Sequence, residues 1–179
     1  LFPGTGFVGD LGAGRAVGTK VNMPFEPGTS DGDWLAALGR LVPPLALAHR
    51  PDILVTQLGI DTHRTDPLSH VGISLTAFAQ AVRSLKGLCP RWIALGGGGY
   101  DLTNVPRAWT AAWAIMNDRE PPAALPEPFL ARHRGIGFSD GAFMDGPAII
   151  DGPTKGHAWK AVRSEVERLK RMVFPRHGI

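Results

Sequence analysis

Cysteine is nearly missing: the 179 residues hold one, Cys89. A single thiol excludes an internal disulfide and any multi-cysteine zinc site, so a metal bound here would need histidine or carboxylate ligands. Cys89 itself reads as an ordinary loop residue. Tyrosine is as scarce, with Tyr100 its sole representative. No apolar stretch reaches the ~18 residues that span a bilayer, and the first residues lack the charged and apolar regions of a signal peptide. No membrane partner and a cytoplasmic location are therefore expected. Neither standard phosphate fingerprint is present, since there is no G-x-G-x-x-G and no Lys-Ser or Lys-Thr behind a glycine run. The net charge is only +3, with a pI near 9.4. Its basic excess comes largely from Lys155 to Arg176, where Arg163, Arg168, Lys170 and Arg171 alternate with Glu165 and Glu167. Mixed signs on one helix mark a solvated face, so no direct nucleic-acid partner is expected.

What remains is the composition of a globular domain, 44% hydrophobic and 20% charged, long enough for one core. Residues 1–29 are rich in glycine and proline around a brief extended run, Lys20-Val21-Asn22-Met23. Ser30 and Asp33 form a capping box, and Leu35, Leu38, Leu41, Val42 and Leu45 follow at helical spacing to about His49. Pro43 and Pro44 predict a kink or a second short helix. Asp52 to Leu58 is a continuous apolar run of strand length, as in a strand covered on both faces. Thr76 is placed to cap a helix striped by Phe78, Val82 and Leu85. A second strand, Trp92 to Leu95, precedes a helix near Asn104 to Met116, with Pro106 in its first turn. Residues 117–155 have no sustained period and read as a wrapping or connecting segment. Helical spacing resumes from Ala158 to Val173.

Helix, strand, helix, strand, helix with uniformly apolar strands is the order of a parallel α/β sheet. Ligands collect at the carboxyl ends of such strands. Two conspicuous loops leave those ends, residues 59–67 and 96–100, and should share one edge. The first holds Asp61, His63 and Asp66. Carboxylate and imidazole are zinc ligands where cysteine is absent, but a solvated turn explains this segment as readily. The second, Gly96-Gly97-Gly98-Gly99-Tyr100, removes every Cβ over four residues, which allows a sharp turn or close approach of a bound group. Tyr100 at its exit can donate to a carbonyl oxygen that gains negative charge in a reaction.

Taken together, Leu1-Phe2-Pro3-Gly4-Thr5-Gly6, Val21-Asn22-x-Pro24, Gln57-Leu58-Gly59-x-Asp61 with Asp66-Pro67, Leu95-Gly-Gly-Gly-Gly-Tyr100 and Asn104-x-x-Arg107-x-Trp109 resemble the carboxyl-terminal half of the zinc-dependent histone deacetylase family. The likeness is greatest to its acetoin-utilisation branch and covers residues 1 to about 116 in unbroken order. It implies an arginase/deacetylase-like α/β fold, a parallel sheet with helices on both faces, of which this chain is the carboxyl-terminal part. It divides the chain into 1–116 of the catalytic domain, a Pro/Gly-rich segment 117–155, and a carboxyl-terminal helix 156–179. Residue by residue, Asp66 matches a zinc ligand and Asp61 a strand-end aspartate behind it. Tyr100 matches the catalytic tyrosine opposite the metal, and Phe2 an aromatic wall of the acetyl-lysine channel. Gly98 falls where backbone meets substrate, and Ile73 at the channel mouth.

The implied reaction is hydrolysis of an acetyl-amide, on acetylated lysine of a protein or on a small acetylated amine. The implied metal is zinc, with iron as the alternative for a carboxylate-rich ligand set. The family's remaining two ligands, an aspartate and a histidine, and its paired histidines lie upstream of the Phe2-Pro3-Gly4 segment, and residues 1–179 contain no Asp-x-His followed by His-His. The chain alone is therefore expected to be inactive and unstable, with an apolar sheet edge exposed. The alternative reading is a non-catalytic remnant that binds or scaffolds. The last helix would pack on the body or mediate association, which leaves an oligomer open.

Overall fold

The computed structural model describes residues 4–133, 135, 141–146 and 154–179, excluding the side chains of 154–158. Five α-helices are present among them: α1 (Asp31–His49), α2 (Leu75–Leu85), α3 (Val105–Met116), α4 (Glu127–Arg132) and α5 (Thr154–Val173). Two strands, β1 (Leu54–Gln57) and β2 (Trp92–Leu95), pair in parallel with Leu54 opposite Trp92 and Gln57 opposite Leu95. The strand–helix–strand order thus gives the parallel arrangement that the apolar runs predict.

Helix α1 starts as its sequence dictates. Ser30 Oγ accepts the Asp33 N–H at 3.3 Å, and the Asp33 carboxylate returns to the Ser30 N–H at 3.5 Å. The expected break at Pro43 and Pro44 does not occur, and both lie inside one continuous helix. Each proline removes an N–H that would have bonded the carbonyl four residues back. Those carbonyls belong to Gly39 and Arg40, both exposed, so water can satisfy them. The extended run Lys20–Met23 joins no sheet among the described residues. It is held from the side, by Asn22 Nδ2 donating to the carbonyls of Phe7 at 3.1 Å and Asp10 at 3.2 Å.

Helix α2 is capped by Ser74 rather than Thr76. Ser74 Oγ accepts the Ala77 N–H at 3.0 Å, and Asp31 grips the same residue, accepting its N–H and its hydroxyl at 2.7 Å each. Two cores result. Phe78, Ala79 and Val82 of α2 pack on Ala108, Ala112 and Ile115 of α3, with Trp92 of β2 at the margin. Val162, Val166, Leu169 and Val173 of α5 pack on Ala37 and Leu41 of α1 together with Val8 and Leu11. Helix α5 is therefore part of the body, with Val162, Val166, Leu169 and Val173 buried and Trp159 left exposed.

The sheet is covered on one face only. Leu54, Thr56, Trp92 and Ala94 are half-buried, whereas Val55 (57%), Ile93 (49%) and Leu95 (55%) stand exposed. Among the described residues the other side of the strands is left uncovered, so the exposed surface is a sheet face, not merely an edge.

Candidate active site

Both loops do leave the carboxyl ends of the paired strands and lock together. Leu58 N–H donates to the Leu95 carbonyl at 2.9 Å, and Ile60 N–H to the Gly98 carbonyl at 2.7 Å. The glycine run has a packing cause. A Cβ on Gly97 would lie 2.7 Å from the Gly59 nitrogen, and one on Gly98 2.2 Å from Asp61 Oδ2. One loop lies across the other at backbone distance, which leaves no room for side chains.

Asp66 is 7% exposed and its carboxylate is tied by main chain. Oδ1 accepts the N–H groups of Leu68 at 2.9 Å and Ser69 at 3.2 Å, and Oδ2 accepts the N–H of Tyr100 at 2.9 Å. Tyr100, 56% exposed, lines a cleft of about 510 Å³ together with Asp61, Met23, Pro24, Phe25, Leu68 and Val71. The candidate metal ligand is thus bonded to the backbone of the residue that carries the sole phenol. Asp66 keeps lone pairs that fit it for a first ligand position. Among the described residues, however, no three His, Cys, Asp or Glu side chains gather where a metal ion could be held. Zinc or iron therefore does not fit the donors present among the described residues.

Behind the cleft lies a buried polar network. His63, 2% exposed, meets Asp145 Oδ2 through Nε2 at 2.8 Å. Its Nδ1 faces two N–H donors, Asn104 Nδ2 at 2.7 Å and the Thr65 amide at 3.2 Å. Nδ1 is thereby the acceptor, and Nε2 carries the ring proton and donates it to Asp145. Asp145 also accepts from Arg64 Nη2 at 2.9 Å and from the Leu75 N–H, in the first turn of α2, at 2.6 Å. Burial raises the Asp145 carboxyl, but the hydrogen bond from His63, the Arg64 guanidinium and the Leu75 N–H outweigh it and hold the group below the usual carboxylate range. Asp101 behaves alike: burial opposes, and hydrogen bonds from Thr103 and Thr65 prevail.

Of the residues expected from the sequence, Asp66, Tyr100 and Gly98 are brought together, and Asp61 joins them at the cleft. Phe2 lies outside the described residues. Ile73 is not at a channel mouth. It is wholly buried with Val71 and Ala77, because its N–H donates to the Thr62 carbonyl at 3.2 Å and its own carbonyl accepts from Arg64 at 3.0 Å, which pins it beneath the loop. His63 is a network residue and shares no metal site among the described residues. Asp145 was hidden in a segment without period, and only the preceding Ala142-Phe143-Met144 hints at an anchored stretch. Cys89 is buried, its Sγ 3.1 Å from the Pro51 carbonyl.

Residues 1–116 match the histone deacetylase domain, and the chain belongs to that family. Among curated proteins, the acetoin utilization protein AcuC of Bacillus subtilis (strain 168) is 33% identical over 190 residues, covering 95% of this chain and 49% of its own length. That of Staphylococcus xylosus is 34% identical over 139 residues, covering 74% and 36%. Among solved structures, a histone deacetylase homologue from Aquifex aeolicus superposes with a TM-score of 0.77 at 26% identity, over 94% of this chain and 47% of the homologue. A homologue crystallised with SAHA gives 0.75 at 27% identity over the same shares. The arginase/deacetylase-like α/β fold is thus shared, and the chain spans about half the length of the relatives it matches.

Proposed function

We propose that this chain supplies the oxyanion donor and one metal ligand of a metal-dependent hydrolase that removes acetyl groups from lysine side chains or small acetylated amines. The observation that carries the reading is the 2.9 Å bond from the Tyr100 backbone N–H to Asp66 Oδ2, which ties the residue carrying the donor to the candidate ligand, beside a cleft that Tyr100 lines. The cleft's apolar wall of Met23, Pro24, Phe25, Leu68 and Val71 suits the methylenes of an acylated alkylamine. Tyr100, on the lining of that space, supplies the O–H that donates to the amide oxygen as it gains charge. The match to a family that includes a SAHA-bound homologue supports a cleft that accepts a ligand of this shape. A zinc or iron ion would supply Lewis acidity and an activated water, but its remaining ligands would have to come from outside residues 1–179.

Deacetylation of an acetyl-lysine peptide with added zinc tests this directly. The expected result is no turnover by residues 1–179 alone and turnover once the chain is joined to the half of the Bacillus subtilis relative that it does not span. In the joined protein Tyr100→Phe should lower kcat by ~10²–10³. A folded joined protein without activity, or one indifferent to Tyr100→Phe, removes the hydrolase reading and leaves the non-catalytic module, which the incomplete ligand set otherwise favours for the chain on its own.

A further inference from the structure

One carboxamide sits at the crossing point of the two loops. Asn104 is 2% exposed and stands at the amino-terminal cap of α3, yet its side chain makes no cap hydrogen bond. A capping asparagine would stabilise the helix by accepting one of its free N–H groups, so another set of contacts has taken the group. Nδ2 lies 2.7 Å from Thr65 Oγ1, 2.9 Å from Asp101 Oδ2 and 2.7 Å from His63 Nδ1. Oδ1 accepts from Arg107 Nη2 at 2.6 Å, which fixes which end of the amide faces which partner. Arg107 is held in turn by the Thr103 carbonyl, 2.8 Å from its Nε.

The three acceptors are not a random set. Thr65 is the chain neighbour of Asp66, Asp101 is the chain neighbour of Tyr100, and Thr65 Oγ1 also donates to Asp101 Oδ2. His63 begins the turn that delivers Asp66, whose N–H donates to the His63 carbonyl at 2.9 Å. We infer that Asn104 is a positioning residue: its amide clamps the residues flanking Asp66 to the residue flanking Tyr100, and so sets the spacing between that carboxylate and that tyrosine. Its meaning for catalysis rests on the hydrolase reading above, but the clamp itself does not. Among the described residues three other bonds join the two turns directly, Ile60–Gly98, Thr65–Asp101 and Asp66–Tyr100; the last is the contact being set, and the second ends on the same two side chains that the Asn104 amide holds.

The lone tyrosine makes the clamp measurable without metal, substrate or turnover. The full 179-residue chain grown with ¹⁵N-tyrosine gives one backbone amide resonance, that of the N–H bonded to Asp66. In Asn104→Ala that resonance is expected to shift, and its hydrogen exchange to quicken by about tenfold or more relative to wild type, as a local opening would produce. Leu41→Ala, in the remote α1–α5 core, should leave its chemical shift in place and so separates general weakening from loss of the clamp. Thr65→Val, at an exposed position, removes one acceptor and serves if Asn104→Ala does not fold; a smaller shift in the same direction is expected. An unmoved resonance with unchanged exchange in Asn104→Ala, or in Thr65→Val where that variant stands in, overturns the inference, as does an equal response to Leu41→Ala. Failure of the hydrolase reading would show instead in the turnover assay and leave the amide result untouched.

Discussion

Asp145 carries more of the site than any residue the motifs single out. It accepts from an imidazole, a guanidinium and a helix amide, so Asp145→Ala leaves a buried ring N–H and a buried backbone N–H without partners and should cost about 3 kcal/mol, read as a lowered urea midpoint. Its acid dependence has a defined sign. The carboxyls of Asp145 and Asp101 are held below their ordinary range in the folded chain, so folding favours their ionised forms. That stability is fully present above the unfolded-state value near pH 4 and is lost as pH falls through the lower folded values. Thermal melts between pH 7 and pH 2.5 should therefore show a steep acid limb for wild type and a shallower one for Asp145→Asn. At this scale the sequence was half legible. That the loops of Asp66 and Tyr100 share one edge could be read because each leaves the carboxyl end of a strand. Asp145 could not, since a single carboxylate 82 positions from His63 leaves no local pattern. Ile73 was misplaced for the same reason, because the register of its bridge to His63 decides which way it faces.

Among the elements, the glycine run and the Asn104-x-x-Arg107-x-Trp109 motif turn out to be one device. Trp109 Nε1 donates to the Leu58 carbonyl at 2.8 Å while its ring lies over Gly96, where a Cβ would come within 2.9 Å of it. Gly97→Ala forces a methyl group into Gly59 backbone and should destabilise by about 1–3 kcal/mol. Gly39→Ala, in exposed α1 with nothing near its Cβ, should stabilise by about 1 kcal/mol. Parallel denaturant curves on the two variants give the comparison. Helix starts were readable from short-range chemistry, as the Ser30–Asp33 box shows. The continuity of α1 through Pro43 and Pro44 was not, because it depends on water reaching the carbonyls of Gly39 and Arg40.

For the whole molecule, the uncovered sheet face dominates. Val55, Ile93, Leu95 and Trp113 are all about half exposed or more, beside a groove of about 290 Å³ lined by Leu58, Ala94, Trp109 and Met116. An apolar patch of this kind promotes association in water. Sedimentation of the 179-residue chain at micromolar concentration should show self-associated species, and Val55→Lys with Ile93→Lys should shift it toward monomer; a monodisperse wild-type monomer would contradict this. The parallel order of the sheet could be read from its apolar runs, but which face stays bare could not, since both faces of each strand carry the same kinds of side chain. Finally, the anchoring of residue 145 onto residues 63, 64 and 75 bears on how the chain is born. During ribosomal synthesis at roughly 5–20 residues per second, the histidine and the first turn of α2 wait unpaired while some seventy further residues emerge, so the cleft is among the last parts of the molecule to be finished.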